Sequence, residues 1–161
     1  MSPWKGQKYI PPKGVKSLVE RLREQGKTIV TLNGSFDLLH AGHLSMIEEA
    51  SKQGEILIIA LNSDASIQAY KDPSRPIIPL EQRVALIEAL QSVDYVTSFD
   101  ELNPIHLLEI IKPDVHVNGE EYGMACIESA TVESNGGRIH LVRRIPGLST
   151  SNIIEKIRSC V

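Results

Sequence analysis

The chain has 161 residues, of which 42% are hydrophobic and 23% charged, proportions typical of a single globular domain with its own core. The net charge of −3 argues against a broad basic surface for nucleic acid or anionic membranes. No apolar run approaches the roughly 20 residues of a membrane helix, and Cys126 and Cys160 share no metal-ligand spacing, so we expect a cytoplasmic protein with reduced thiols.

The N-terminal segment, residues 1–26, is predicted to hold an irregular arm and then a helix at residues 15–25. The remainder, residues 27–161, is predicted to be a single domain. Short β-branched or apolar runs predict strands at residues 28–32, 55–61, 95–98, 115–117 and 138–142. Apolar residues at helical spacing predict further helices at residues 43–53, 80–91, 104–111, 126–134 and 149–158. A polar loop is expected at residues 71–76.

Strands that alternate with helices predict right-handed βαβ units, and therefore an α/β, Rossmann-like fold with a doubly wound, five-stranded parallel sheet. Ligands of such sheets bind beyond the carboxyl ends of the strands. Ligand contacts are therefore expected in the residues that follow Leu32, Leu61 and Val117.

Residues 33–43 follow the first predicted strand and lead into a helix. Gly34 allows a tight turn close to a ligand, and Gly42 leaves room beside the helix start. The free N–H groups at that helix start, together with the helix dipole, form a natural phosphate site. The spacing is neither that of a P-loop nor that of dinucleotide-binding glycines, so we predict a phosphate site of another kind.

His40 and His43 are three residues apart, so their side chains share one face of a helical turn. They could be metal ligands, but no third histidine or cysteine is nearby, or they could be structural histidines on a turn. Because the strand, the glycines and the helix all agree, the favoured interpretation is that both imidazoles donate to phosphate oxygens, as neutral tautomers or as cations.

The segment from Asn33 to His43 resembles the signature of the HIGH-type nucleotidyltransferases, whose hallmark His-x-Gly-His corresponds to residues 40–43. A second element, Arg-Ile-Pro-Gly-Leu-Ser-Thr-Ser at residues 144–151, is similar to the Arg-x-x-Gly-Ile-Ser-Thr-Thr element of the cytidylyltransferase branch. The two elements occur in the family's order, and the resemblance covers about residues 27–158. It implies transfer of a nucleotide from an NTP to a phosphate monoester, with release of pyrophosphate.

Within that family, residues 62–66, 79–83 and 135–137 look most like the adenylyltransferase domain that activates D-glycero-D-manno-heptose 1-phosphate for lipopolysaccharide assembly. Two residues depart from that pattern: Asn118 stands where a lysine is usual, and Arg144 is typical of the glycerol-phosphate cytidylyltransferases. The alternative is therefore a CTP-dependent enzyme for glycerol 3-phosphate or another polyol phosphate. A nucleotide-sensing module without turnover is a third hypothesis.

The resemblance implies catalytic roles for His40, His43 and Lys71. Arg75 and Arg83 are candidates for contacts to the acceptor phosphate; the alternative is a surface ion pair for Arg75 and a structural ion pair for Arg83. The residues implied to bind the nucleotide are Asn33, Gly34, Ser35, Phe36, Gly42, Asn118, Arg144, Gly147, Ser149, Thr150 and Ser151. Mg²⁺ is expected to arrive with the NTP, and no metal site made by the protein is predicted. The expected partners are an NTP, a small phosphorylated sugar or polyol, and a second copy of the chain, with a sugar kinase as a separate protein. Asp37 is expected to be a structural carboxylate that anchors the turn.

Overall fold

The computed structural model describes residues 6–161; the first five residues of the predicted arm lie outside the described part of the chain. The strands are β1 (Ile29–Gly34), β2 (Ile56–Asn62), β3 (Tyr95–Phe99), β4 (Val115–Gly119) and β5 (Arg138–Val142). The helices are α1 (Val15–Glu24), α2 (Ala41–Ser51), α3 (Asp64–Tyr70), α4 (Leu80–Glu88), α5 (Ile105–Ile111), α6 (Ser129–Ser134) and α7 (Thr150–Ser159). None of these helices is long and apolar enough to cross a membrane.

The five strands form one parallel sheet in the order β3-β2-β1-β4-β5, which confirms the predicted fold class. The order reverses between β1 and β4, so the connections that leave these two neighbouring strands run to opposite sides. A crevice opens at the carboxyl end of the sheet at such a switch point. The residues after β1 and β4 therefore border the predicted ligand site.

Alternate residues of each strand bury against opposite helical layers, as the two-residue side-chain period of a strand requires. On one face, Val30 packs in a cluster with Ile47 of α2 and Ile87 of α4. On the other face, Ile29 packs in a cluster with Leu22 of α1 and Ile111 of α5. Helix α1 thus shares a core with the sheet.

The N-terminal residues also join the sheet edge. Tyr9 forms a parallel bridge with Val96 of β3, and the N–H of Ile10 donates to the Val96 carbonyl at 2.8 Å. Residues 6–26 are consequently packed against residues 27–161.

Element positions differ from the predictions mainly where the apolar pattern is short. Helix α3 was not predicted, because only Ser66 and Ile67 of its seven residues are buried. Helix α6 begins at Ser129, three residues later than expected, and α2 begins at Ala41, two residues earlier. Both β1 and β4 extend two residues past their apolar runs, since hydrogen bonding continues where side chains turn polar.

Candidate active site

The connection from β1 to α2 has a strained backbone fixed by a buried carboxylate. Phe36 and Leu38 both have positive φ, 49° and 52°, in the left-handed region that side chains with a Cβ disfavour. Between them, Asp37 accepts hydrogen bonds from Arg75 Nε at 3.0 Å and from the N–H of Ile77 and Ile78 at 2.8 and 2.9 Å. Asp37 is therefore a structural anchor, although it binds the loop before α4 and not its own turn.

The same contacts set the ionisation of Asp37. Burial opposes the charged form, but the two backbone hydrogen bonds and the Arg75 guanidinium outweigh it and lower the pKa of Asp37. The charge of Arg75 is in turn partly neutralised.

The start of α2 fixes the tautomers of both histidines. His40 is the N-cap, and its Nδ1 accepts from the N–H of Gly42 at 3.0 Å. His43 Nδ1 accepts from the N–H of His40 at 3.3 Å, which completes a reciprocal capping arrangement. Because each Nδ1 is an acceptor, the ring proton of each neutral imidazole must be on Nε2.

Both rings are held neutral near pH 7. Burial, and then the charge of Arg144, lowers the pKa of His40. Burial, followed by repulsion from His40 when that ring is protonated and by the charge of Lys71, lowers the pKa of His43 to about 4. The rings stack with centroids 3.8 Å apart. Of the two protonation states left open by the sequence, the structure therefore favours neutral donors.

Gly42 is required by close packing at this point. A Cβ there would lie 2.8 Å from His40 Cε1 and 3.1 Å from Leu148 Cβ, closer than ordinary contact. The glycine thus lets the start of α2 approach the segment that leads into α7.

The start of α7 meets the start of α2. The Ser149 hydroxyl caps α7 by accepting from the N–H of Asn152 at 3.1 Å, and Gly147 has a φ of 81° in the preceding turn, where a glycine is favoured. The Thr150 hydroxyl donates to the Asp37 carbonyl at 2.8 Å across 113 residues of sequence. The two motifs predicted to cooperate are therefore brought together by a direct bond.

Lys71 lies beside the β1–α2 connection. Its Nζ donates to Ser35 Oγ at 3.1 Å, and the Tyr70 hydroxyl is 2.9 Å from the same oxygen. Ser35 thus holds an exposed lysine against the site.

Arg83 does not reach the site, contrary to the prediction of an acceptor contact. Its side chain is fully buried, and its guanidinium is surrounded by protein oxygens. The acceptors are the carbonyls of Ile78 (2.9 Å), Ser35 (2.7 Å) and Asn62 (2.9 Å) and the carboxylate of Asp64 (2.7 Å). Arg83 therefore joins the ends of β1 and β2, and it is unable to bind an acceptor without breaking these hydrogen bonds.

The site consists of two adjoining cavities. The basic lobe, about 310 Å³, lies between the starts of α2 and α7. Of the predicted residues it is lined by His40, Gly42, His43, Lys71, Arg144, Ser149, Thr150 and Ser151. The amide lobe, about 450 Å³, lies over the ends of β1, β2 and β4. Of the predicted residues it is lined by Asn33, Gly34, Ser35, Phe36, His43, Lys71, Arg75, Asn118 and Thr150.

His43, Lys71 and Thr150 border both lobes and so mark their junction. Gly147 contributes the turn before α7 and lines neither lobe. Tyr70 and Glu128 also line the amide lobe, and sequence reasoning missed both. Tyr70 belongs to the unpredicted helix, and Glu128 precedes a six-residue helix whose pattern carries no functional signal.

The chain is similar to known proteins in its sequence and in its fold. The family model described as "Cytidylyltransferase-like" matches residues 31–159. A protein named "Bifunctional protein HldE" from Methylobacillus flagellatus is 46% identical over 142 residues, which are 88% of this chain and 29% of that protein. Its namesake from Syntrophotalea carbinolica is 43% identical over 89% of this chain and 29% of the relative. The chain therefore spans under a third of the length of these curated relatives.

Two solved structures are also similar. The lipopolysaccharide core biosynthesis protein from Thermoplasma volcanium has a TM-score of 0.59 at 28% identity, covering 74% of this chain and 98% of that one. A pantoate–β-alanine ligase from Francisella tularensis has a TM-score of 0.61 at 16% identity, covering 93% and 76%. The second likeness concerns the fold alone.

Proposed function

The chain belongs to the cytidylyltransferase-like family of nucleotidyltransferases, and from that premise we propose that it joins an NTP to a sugar phosphate and releases pyrophosphate. The specific reaction we propose is ATP and D-glycero-D-manno-heptose 1-phosphate giving ADP-heptose. The observation that carries the proposal is the meeting of two helix starts and two neutral imidazoles in the basic lobe. Free N–H groups and Nε2–H donors suit a triphosphate.

The chemistry requires placement and charge stabilisation more than acid–base catalysis. An anionic oxygen of the acceptor phosphate attacks the α-phosphorus, a new P–O bond forms, and the bond from the α-phosphorus to the bridging oxygen breaks. The electron pair leaves with pyrophosphate. Because the attacking oxygen is already an anion, no general base is needed, and the protein has to align two polyanions and stabilise the leaving charge.

The side chains at the site suit those two tasks. His40 and His43 would donate from Nε2 to the triphosphate, and the N–H groups at Ser149–Ser151, with Arg144, would bind its β and γ phosphates. Lys71 lies at the junction of the lobes, where the α-phosphate and the acceptor phosphate would meet. Arg75 donates to Asp37 through Nε. The other two nitrogens of its guanidinium take no part in that hydrogen bond, and they would bind the acceptor phosphate.

Mg²⁺ would be bound through the nucleotide. In residues 6–161 no group of three His, Cys, Asp or Glu side chains is placed to hold a metal ion, and Asp37 beside the histidines is already occupied by three donors. We therefore propose that substrate phosphates supply most of the ligands of the ion. Mg²⁺ commonly binds through substrate phosphates and would partly neutralise the pyrophosphate there.

One relative supports the proposed acceptor, whereas the proposed base depends on the sequence resemblance alone. The T. volcanium structure is that of a lipopolysaccharide core biosynthesis protein, and residues 62–66, 79–83 and 135–137 of this chain resemble the heptose adenylyltransferase domain. Arg144, exposed at the basic lobe, favours the second candidate, transfer from CTP to glycerol 3-phosphate or a related polyol phosphate. We further propose a cytoplasmic homodimer, and the two free cysteines suit a reducing compartment.

A matrix of substrates tests the proposal. Purified protein with Mg²⁺ is given each of four NTPs with heptose 1-phosphate, mannose 1-phosphate or glycerol 3-phosphate, and pyrophosphate is measured. We expect the highest kcat/KM for ATP with heptose 1-phosphate. A maximum for CTP with glycerol 3-phosphate would select the second candidate. Nucleotide binding without pyrophosphate from any pair would contradict both.

A further inference from the structure

The floor of the amide lobe holds a buried carboxylate that the proposed chemistry does not use. Glu128 is only 6% exposed, and its Oε2 accepts from Asn118 Nδ2 at 3.2 Å. Asn118, at 8% exposure, is at the end of β4. Both residues line the amide lobe and neither lines the basic lobe.

A third polar group in this lobe is buried without a partner. Among the described residues, no donor lies within hydrogen-bond distance of Asn33 Oδ1, although the atom is shielded from solvent. Asn33 is at the end of β1, the strand beside β4, and it lines the same lobe. A buried acceptor without a donor carries a desolvation penalty, which a ligand donor would relieve.

The charges of the lobe indicate which chemical group it would take. Three carboxylates line the amide lobe: Asp37, which already accepts from three donors, Glu121, which also lines the basic lobe, and Glu128, which lines the amide lobe alone. A buried carboxylate repels a phosphate but accepts strong hydrogen bonds from hydroxyl groups, so Glu128 suits a hydroxyl group better than a phosphate. Amide side chains both donate and accept, as hydroxyl groups do. The cations of the amide lobe, Lys71 and Arg75, belong to the phosphate contacts already described. The amide lobe thus offers cations for a phosphate together with amide and carboxylate groups for hydroxyl groups.

We propose that Asn33, Asn118 and Glu128 bind the ring hydroxyl groups of a cyclic polyol phosphate, the acceptor. This inference rests on the proposed function and reassigns Asn33 and Asn118, which the sequence pattern placed with the nucleotide. The cavity volume of about 450 Å³ is within the roughly 300–1,000 Å³ of small-molecule sites. Glu128 is then a specificity-determining residue for the acceptor.

The test compares Glu128→Gln with Glu133→Gln, a change at an exposed glutamate of α6 away from both lobes. Gln keeps the shape of Glu128 but loses its charge. We expect the KM of heptose 1-phosphate to rise about 10- to 100-fold, the loss typical of a hydrogen bond to a charged group, with the KM of ATP unchanged. Glu133→Gln is expected to match the wild type. Glycerol 3-phosphate, which has fewer hydroxyl groups, should be affected less.

A second variant, Asn33→Ala, keeps the inference testable if Glu128→Gln does not fold. Asn33→Ala removes an oxygen that has no described protein partner, so we expect the fold to survive while the KM of heptose 1-phosphate rises. Thermal melting of each variant checks the fold. An unchanged acceptor KM in a folded variant, or a raised KM for ATP alone, would overturn the inference and leave the proposed function standing.

A direct binding measurement tests the acceptor site separately from the proposed reaction. Isothermal titration of heptose 1-phosphate into the wild type and into Glu128→Gln measures acceptor affinity without turnover. If the wild type binds the sugar phosphate more tightly than Glu128→Gln but releases no pyrophosphate, the acceptor site stands and the proposed reaction fails. If wild type and variant bind it equally, the acceptor assignment fails, whatever the turnover.

Discussion

Two helix starts border the basic lobe, and the rest of the protein holds them in different ways. Helix α2 follows the central strand β1, buries Ile47 and Ala50 completely, and begins with the reciprocal histidine cap. Helix α7 has no buried residue, and its start is joined to the domain through the bond from Thr150 to Asp37 and through Leu148 beside Gly42. One side of the lobe belongs to the core, and the other lies on its surface.

We infer from this difference that the starts of α2 and α7 have different roles in the proposed reaction. Groups built into the core keep their geometry without a ligand, which is what stabilising a transition state requires. Groups on a helix with few buried contacts are easier to displace, because local stability follows burial. We therefore expect changes at α2 to affect kcat most and changes at α7 to affect the KM of the nucleotide.

The largest effect is expected for His40→Ala, which removes an Nε2–H donor. Turnover should fall about 10²- to 10³-fold, as commonly follows loss of one donor to a developing charge. His40→Asn keeps a good N-cap residue, so it separates the donor from the cap. His106→Ala, on the exposed side of α5, is the matched control. An unchanged rate in folded His40→Ala would remove His40 from the mechanism.

The depressed pKa of His43 predicts a loss of stability in acid. The unfolded imidazole titrates near 6.5 and the folded one near 4, so below about pH 6.5 the unfolded state binds more protons. The contribution is complete above pH 6.5 and is lost as pH falls toward 4, by up to about 3 kcal/mol, on the order of 10²-fold in the folding equilibrium.

Urea unfolding of the wild type and of His43→Gln, between pH 4 and 7.5, measures this contribution. Gln does not titrate, so the free energy of unfolding should fall less steeply with acid in the variant. Parallel curves for the two proteins would show that His43 is charged equally in both states.

Arg144→Ala is expected to weaken NTP binding about 10-fold, because an exposed charge-assisted contact to phosphate is lost. The KM of the nucleotide should rise more than kcat falls, because Arg144 lies on the α7 side of the basic lobe. Arg138→Ala, an exposed arginine at the far end of β5, is the control. Nucleotide affinity equal to that of the wild type would exclude Arg144 from the site.

The smallest effect is expected for Thr150→Val, which keeps the shape of the side chain and deletes the hydrogen bond to Asp37. A typical bond of this kind contributes about 1 kcal/mol, so the KM of the NTP should rise about 5-fold with kcat little changed. Thr131→Val in α6 is the control. A fall in kcat larger than the rise in KM would show that α7 contributes to the transition state. It would contradict the expectation that changes at α2 and α7 affect different kinetic constants.

Sequence patterns predicted the sheet well, because each strand is a run of apolar or β-branched residues whose burial shows in its own composition. Helix α3 was not predicted, because a short helix capped by Ser63 and buried at Ile67 shows no measurable helical period of apolar residues. Arg83 was misassigned for a related reason: an arginine after a polar loop has the same local pattern whether it faces a ligand or, as here, four buried or partly buried protein oxygens.

The sequence by itself determined the alternation of strands and helices and the two motifs that we propose bind phosphate, since these depend on residues that are neighbours along the chain. Only the tertiary structure decided that Thr150 bonds to Asp37, that Glu128 meets Asn118, and that both histidines present Nε2–H as neutral rings. These features arise from distances between distant segments and from burial. Local periodicity records which side of an element is covered and carries no information about what covers it.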